Sequence, residues 1–142
     1  MIAEFKDEYE FLSNFYPSPF TVDGIYYPTV EHYFQAMKTL NIEKRKEIAA
    51  ASTPGQAKRL GRAVKLRPDW EEVKIDVMRN GLAYKFAHHS DLRRKLIATG
   101  DQYLEEGNHW CDNFWGSCHC LKCQDKVGQN NLGKLLMQLR EL

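Results

Sequence analysis

Glu31, Gln35 and Lys38 stand at spacings i, i+4 and i+7 in the segment Thr29-Val30-Glu31-His32-Tyr33-Phe34-Gln35-Ala36-Met37-Lys38. On a helix these spacings put a carboxylate, an amide and an amine in one column, while Tyr33, Phe34 and Met37 point towards a core. Glu31 falls in the first helical turn, where the positive end of the macrodipole favours the carboxylate. It is therefore suited to act as a base or to stabilise positive charge, and it is equally what a surface acid at a helix start looks like. Lys38 reads as a surface ion-pair partner, a phosphate ligand or, once desolvated, a nucleophile towards a sugar carbon. Gln35 between them can orient a hydroxyl or a base edge. His32 lies about a hundred degrees off the column and reads as a packed or capping histidine.

Three other segments carry polar groups in unusual company. In His109-Trp110-Cys111-Asp112-Asn113-Phe114-Trp115-Gly116, aromatic faces flank one acid, which suits a planar heterocycle or a sugar ring, or else a tryptophan-plugged loop over the core. All four cysteines, Cys111, Cys118, Cys120 and Cys123, lie in this region. They read either as reduced thiols or as a soft-ligand set for one structural zinc. Leu12-Ser13-Asn14-Phe15-Tyr16-Pro17 presents Asn14 as a turn residue or a ligand contact. Gly128-Gln129-Asn130-Asn131-Leu132-Gly133 opens a last helix, with Asn130 or Asn131 as its cap and free N–H groups that suit a phosphate.

The elements that must hold these groups are mostly helical. The opening helix is expected from Thr29 to about Thr39 and a second around residues 43–51. Thr53-Pro54 starts a third, with Gly61 as its stop. The best helix runs from about Asp69 to His88, with Asp69 and Glu72 at capping-box spacing and an apolar face of Trp70, Val73, Val77, Gly81 and Tyr84 widened by Met78, Leu82 and Phe86. Ser90 caps another that Gly100 ends, and Leu132, Leu135, Leu136 and Leu139 mark the last. Residues 2–6 and 20–27 are the expected strands, the second around the turn Asp23-Gly24. A long polar-aromatic loop between Gly107 and Gly128 should be functional or tied down. No repeat or linker interrupts this order.

A chain of 142 residues with 43% hydrophobic content and net charge +1 has the size and composition of one domain with a core. That charge balance argues against a nucleic-acid coat or membrane-surface protein. Lys44, Arg45, Lys46, Lys58, Arg59, Arg62, Lys65 and Arg67, opposed only by Glu47, form a candidate anion-facing surface or a solvated helix face. The apolar runs are too short to span a bilayer and the first ten residues are acidic, so no membrane partner and a cytoplasmic location are expected.

Taken together and in this order, the pieces resemble the NADAR family, also called YbiA-like. The resemblance rests on Leu12-Ser13-Asn14-Phe15, Glu31-His32-Tyr33-Phe34-Gln35 with Lys38, Gly61-Arg62, Trp70, Val77-Met78-Arg79, and Lys85-Phe86. Asp112 with Trp115-Gly116, and Asn130 with Leu132-Gly133 and Leu135-Leu136-Met137, complete it. It covers almost the whole chain, so residues 1–142 are read as a single domain. It implies a mainly α, compact multi-helical fold with a minor antiparallel β element.

The implied activity is hydrolysis of N-glycosidic bonds of ribose-phosphate derivatives. Some members act on ribosylamino-pyrimidine phosphates of riboflavin biosynthesis, and others remove ADP-ribose from guanine, including guanine in nucleic acid. By resemblance, Glu31, Lys38 and Asp112 are the catalytic candidates, and Asn14, Phe15, Gln35, Arg62, Trp115, Gly116 and Asn130 the substrate-binding ones. Glu31 would stabilise charge or activate water, and Asp112, if buried, would donate a proton. Lys38 would form an imine with a ring-opened sugar. Phe15 and Trp115 would enclose the base, with Arg62 or the last helix start taking phosphate. Such hydrolysis requires no cofactor. The cysteine-rich stretch after Gly116 departs from the family pattern. Two competing readings are a non-catalytic module binding ADP-ribose or a nucleotide, and a zinc-stabilised interaction domain.

Overall fold

Local chemistry accounts for most of the secondary structure in the computed structural model, which describes residues 1–142. The chain is mainly α-helical with one small antiparallel hairpin. It divides into two compact units, residues 14–90 and residues 1–13 with 91–142. No helix is long and apolar enough to cross a membrane.

In the unit of residues 14–90, β1 (Phe20–Val22) pairs with β2 (Ile25–Tyr27) in the register Val22↔Ile25. The connecting Asp23 and Gly24 both have positive φ, 51° and 78°, the backbone of a two-residue turn whose twist matches its strands. Helix α1 (Val30–Ala36) starts where the Thr29 hydroxyl accepts the His32 N–H. It is shorter than its sequence pattern predicts: Met37 caps it, the Lys38 N–H tightens onto the Gln35 carbonyl, and the Lys38 carbonyl is taken by the Arg67 N–H at 2.8 Å. All seven residues of α1 are buried.

Helix α2 (Ile42–Ala49) is capped by Asn41, whose side chain accepts the Lys44 N–H. In α3 (Pro54–Ala63), Thr53 caps and Pro54 begins the helix, which the fixed φ of proline favours. Gly61 does not end α3 as its type suggests; the helix passes through it. Helix α4 (Trp70–His88) begins without the expected capping box. Asp69 turns its carboxylate to Arg67 in a two-pronged pair, 2.7 and 3.1 Å, instead of to its own helix. The core joins Phe20, Tyr27, Tyr33 and Tyr84, with ring centroids 5.3–6.2 Å apart. Tyr33 faces Gly81, where an added Cβ would lie 3.0 Å from the ring, so α1 crosses α4 at its one residue without a side chain.

In the other unit, residues 2–6 do not form a strand. Ile2 makes a single parallel bridge to Leu104, and Asp7–Leu12 curls into a 3-10 helix. Helices α5 (Ser90–Ala98) and α6 (Asn131–Arg140) supply Leu92, Leu96, Leu132, Leu135 and Leu136, buried with Ile2, Phe11, Leu12 and Leu104. A two-residue parallel pair, β3 (Gly107–Asn108) and β4 (Ser117–Cys118), ties down both ends of the aromatic loop.

Candidate active site

The N-terminal turn of α1 is where the unit of residues 14–90 concentrates polar chemistry in an apolar setting. Glu31 is only 7% exposed, so it is not a surface acid. Its backbone N–H donates to the Asn14 carbonyl at 3.1 Å, and its Oε2 accepts the Gln35 side-chain N–H at 2.8 Å. Asn14, Glu31 and Gln35 are therefore one connected group. The Asn14 amide donates to the Met78 sulfur at 3.4 Å, and its Oδ1 is buried without a protein partner. A buried acceptor of that kind costs about 1–3 kcal/mol unless something satisfies it, so Asn14 Oδ1 is a natural contact for a ligand hydroxyl or amine.

Gln35 serves the carboxylate directly, and its Oε1, like Asn14 Oδ1, is buried without a hydrogen-bond partner. Its N–H is committed to Glu31, and its Oε1 lodges in a notch of α3 left by Gly61, where an added Cβ would sit 2.0 Å from that oxygen. Gln35 is thus a positioning residue for the carboxylate. In Gly61→Ala the better helix propensity would contribute about 1 kcal/mol, while overpacking typically costs about 1–3 kcal/mol. The expected result is a variant no more stable than the parent but with reduced turnover, because Gln35 is pushed off Glu31. Thermal melts beside steady-state kinetics check it; a more stable variant with unchanged turnover would show that the notch is not tight.

Lys38 follows the end of α1, half-buried, with its Nζ 5.9 Å from the centre of the Phe34 ring. Burial lowers its pKa below the ordinary lysine range, Glu31 acts in the opposite sense, and Arg62 and Lys58 lower it further. Lys38 therefore lies within the electrostatic reach of Glu31, with exposed Arg62 in the same surroundings. Phe15 is 45% exposed, as an aromatic that receives a ligand would be. His32 is fully buried. Its Nε2–H donates to the Ala51 carbonyl at 3.0 Å and its Nδ1 accepts from the Thr29 hydroxyl at 2.8 Å, an arrangement that fixes the neutral tautomer. Burial lowers its pKa, in keeping with that state.

Sequence reasoning missed Lys85. It is fully buried on α4, its Nζ 5.8 Å from the centre of the Tyr16 ring and 5.2 Å from that of Phe86. Desolvation brings its pKa down from 10.5 to about 7. The signal was its position. Lys85 lies seven residues after Met78 and three after Leu82, on the buried stripe itself, where lysine is rarely found fully buried. An amine substantially neutral near pH 7 is a competent nucleophile.

The remaining predicted residues lie in the other unit. Asp112, half-buried, uses Oδ1 to accept the Phe114 and Trp115 N–H groups at 3.1 and 2.9 Å, so the carboxylate organises the turn that presents Trp115. Trp115 packs edge-on against Phe114, ring centroids 4.8 Å apart. Gly116 has a structural need to be glycine: an added Cβ would fall 2.0 Å from the Glu106 carbonyl oxygen, so only glycine allows that backbone approach. Asn130 is likewise committed to the fold. It adopts φ 51°, which asparagine tolerates. Its Oδ1 accepts the Glu106 N–H at 2.9 Å, and its amide donates to the Leu104 carbonyl at 2.8 Å and the Tyr103 hydroxyl at 3.2 Å. The N–H groups of Asn130, Asn131 and Leu132 are taken by the carbonyls of Gly116, Phe114 and Trp115. The expected phosphate cradle at this helix start is therefore filled by the chain's own loop.

The basic run is also partly internal. Lys44 pairs with Glu47, Lys46 with Glu43 and Arg67 with Asp69, and Arg45 donates to the Thr39 carbonyl. Lys44, Lys65 and Arg67 line, with Leu40, Ile48 and Leu66, a groove of about 490 Å³ that contains none of Asn14, Glu31, Gln35 and Lys38.

A family model described as "NADAR domain" matches residues 2–142. The chain is 45% identical over 138 residues to the protein named N-glycosidase YbiA of Escherichia coli (strain K12), covering 96% of this chain and 82% of the relative. It is 38% identical over 137 residues to a protein of Vibrio vulnificus (strain YJ016) named riboflavin biosynthesis protein VVA0006, covering 95% of this chain but 36% of that longer relative. The NMR structure of the E. coli protein YbiA superposes with a TM-score of 0.84 at 43% identity, covering 99% of this chain and 81% of that one.

Proposed function

The chain belongs to the NADAR domain family, and we propose that it cleaves the N-glycosidic bond of a ribose phosphate carrying an amino-pyrimidine, with Glu31 as the catalytic carboxylate. That it is an N-glycosidase rests on relatives of that name, 42% and 45% identical over nearly the whole chain. The finer reading has separate support. The name of the Vibrio relative points to riboflavin biosynthesis. The carrying observation here is Glu31 itself, buried, its side chain held by Gln35 and its backbone N–H bonded to the carbonyl of Asn14, a residue whose side-chain oxygen has no protein partner.

Breaking a ribosyl C–N bond places positive charge on the anomeric carbon and requires a proton on the leaving nitrogen. A buried carboxylate acts on that charge through a low dielectric and stabilises it more than an exposed one would. Asn14 Oδ1 would take a sugar hydroxyl, Phe15 would cover the base, and Arg62 would pair with phosphate. An aminosugar can also open its ring. A lysine amine then bonds to the anomeric carbon, the carbon–base bond breaks with the base leaving as its amine, and water returns the lysine and frees the ribose phosphate. Lys38 and Lys85 both have the lowered basicity this route needs.

The test is to incubate the protein with the ribosylamino-pyrimidine phosphate and, separately, with ADP-ribosylated guanosine, and to measure released base. Cleavage of the first is expected. Cleavage of the second alone would move the substrate to ADP-ribose on guanine, and binding of either without cleavage would make the chain a recognition module. Borohydride added during turnover, followed by peptide mass spectrometry, should trap the sugar on Lys38 or Lys85. Turnover with no adduct on either would assign the reaction to direct attack by water.

A further inference from the structure

Four thiols converge in the loop that carries Asp112. The Sγ atoms of Cys111, Cys118, Cys120 and Cys123 all lie within 4.8 Å of one another, and those of Cys111 and Cys120 are 3.5 Å apart. We propose that these four cysteines bind one zinc ion as a closed tetrathiolate site.

A tetrahedral zinc with Zn–S bonds of about 2.3 Å sets its sulfurs about 3.8 Å apart, so the observed spacing surrounds that value and small side-chain rotations complete it. The convergence is not ordinary core packing. Cys118 and Cys123 are buried, but Cys111 is exposed and Cys120 half-exposed, so the cluster reaches from the interior to the surface. The backbone is shaped to produce it. Cys111 adopts φ 66°, a left-handed conformation that a side chain other than glycine, asparagine or aspartate rarely takes. The Asn108 side chain holds the loop that turns it inward, accepting the Trp110 and Asp112 N–H groups and donating to the Asp112 carbonyl. A 3-10 turn, Leu121–Cys123, brings Cys123 back beside Cys120, the local geometry of a Cys-x-x-Cys knuckle. The N–H groups of Cys111 and Cys120 point at the Cys118 sulfur at 3.1 and 3.4 Å, as outer-shell donors do around a ligating thiolate.

Four protein sulfurs leave no open coordination position, so the ion is structural and not catalytic. Tetrathiolate donors suit zinc or iron among common metals. Zinc needs no redox partner and matches a site whose evident task is to tie down a loop between β3 and β4. Because Cys111 immediately precedes Asp112, the ion would also hold the turn that presents Trp115.

The full chain, purified under reductant without chelator, should contain about one zinc per chain by elemental analysis. Cobalt(II) substitution should give the sulfur-to-metal charge-transfer band and intense visible bands of a tetrahedral tetrathiolate. Stripping with a chelator should lower the melting temperature and make four thiols reactive, and added zinc should reverse both. Cys120→Ser and Cys111→Ser, whose sites are at least partly exposed, should weaken zinc binding by more than the roughly 100-fold that loss of an outer-shell partner can cost. If these variants misfold, the metal content and cobalt spectrum of the unaltered protein still decide. Protein that is metal-free with four freely reactive thiols, that carries iron in place of zinc, or that holds two disulfides after reductive purification would overturn the assignment.

Discussion

Turnover of Glu31→Gln is expected to fall by about 10²–10⁴-fold, the usual contribution of a positioned acid–base group, with ligand affinity and melting temperature close to those of the parent. The substitution removes a charge and almost no volume. The new amide carbonyl can still accept the Gln35 N–H that now binds Glu31 Oε2 at 2.8 Å, and the backbone bond to the Asn14 carbonyl does not involve the side chain. What is lost is the charge that would face a developing cation, which matters in the transition state and little in the ground state, so kcat should drop while KM stays similar. Steady-state kinetics with calorimetric binding of substrate make the measurement. An unchanged kcat would remove Glu31 from the chemistry and leave it a structural carboxylate of α1.

The second large effect concerns stability and pH. Lys85 has an unfolded-state pKa near 10.5 and a folded-state value of about 7, lowered by desolvation. Between those values the unfolded chain binds more protons than the folded one, so this residue makes stability rise with pH from about 7 to about 10.5. Below about pH 7 the buried amine is protonated in both states, and its full desolvation penalty is present and constant. A difference of that size corresponds to on the order of 5 kcal/mol across the window. In Lys85→Met the rise should disappear, and the variant should be more stable than the parent at pH 7, because Met fills similar volume without a charge. Denaturant unfolding at several pH values gives the result directly. A parent curve flat over this window, or a slope that survives in Lys85→Met, would show that the buried amine does not set it. Activity of the same variant separates roles: loss of turnover in a more stable protein is the signature of a site built at a cost in stability.

Much of the helical framework was legible from the chain. The Thr29 and Thr53-Pro54 starts, the long periodic run of α4 and the Asp23-Gly24 hairpin turn depend on neighbours within a few residues, and such signals survive into the fold. The failures share a different cause. Gly61 reads as a helix stop because glycine is poor inside a helix, yet it is interior here because Gln35 occupies the space a side chain would need. The Asp69 cap was lost to an Arg67 pair. The last helix start reads as an open anion site, but its N–H groups are closed by carbonyls of residues 114–116. At Gly61 and at the last helix start a group distant in sequence won a competition that local pattern cannot express, and at Asp69 a neighbouring guanidinium outcompeted the helix N–H groups.

The candidate site divides the same way. Its residue types belonged to the sequence, and Glu31 and Gln35 had to share a face wherever α1 ended up, because 3.6 residues make a turn. Lys38 lies beyond the end of α1, where its carbonyl is held by the Arg67 N–H, so helical spacing alone did not place it. That α1 was buried on every face, and therefore that Glu31 was a desolvated acid and not a solvated one, depended on α3 and α4 closing over the helix. The same applies to Lys85, an ordinary lysine in the chain and an amine near neutrality once α4 packs, and to four cysteines whose spacing was ambiguous until the Asn108 loop drew them together. Sequence sets covalent identity and short-range periodicity. Solvent exclusion and convergence are long-range properties, and those turn an ordinary side chain into a reactive one.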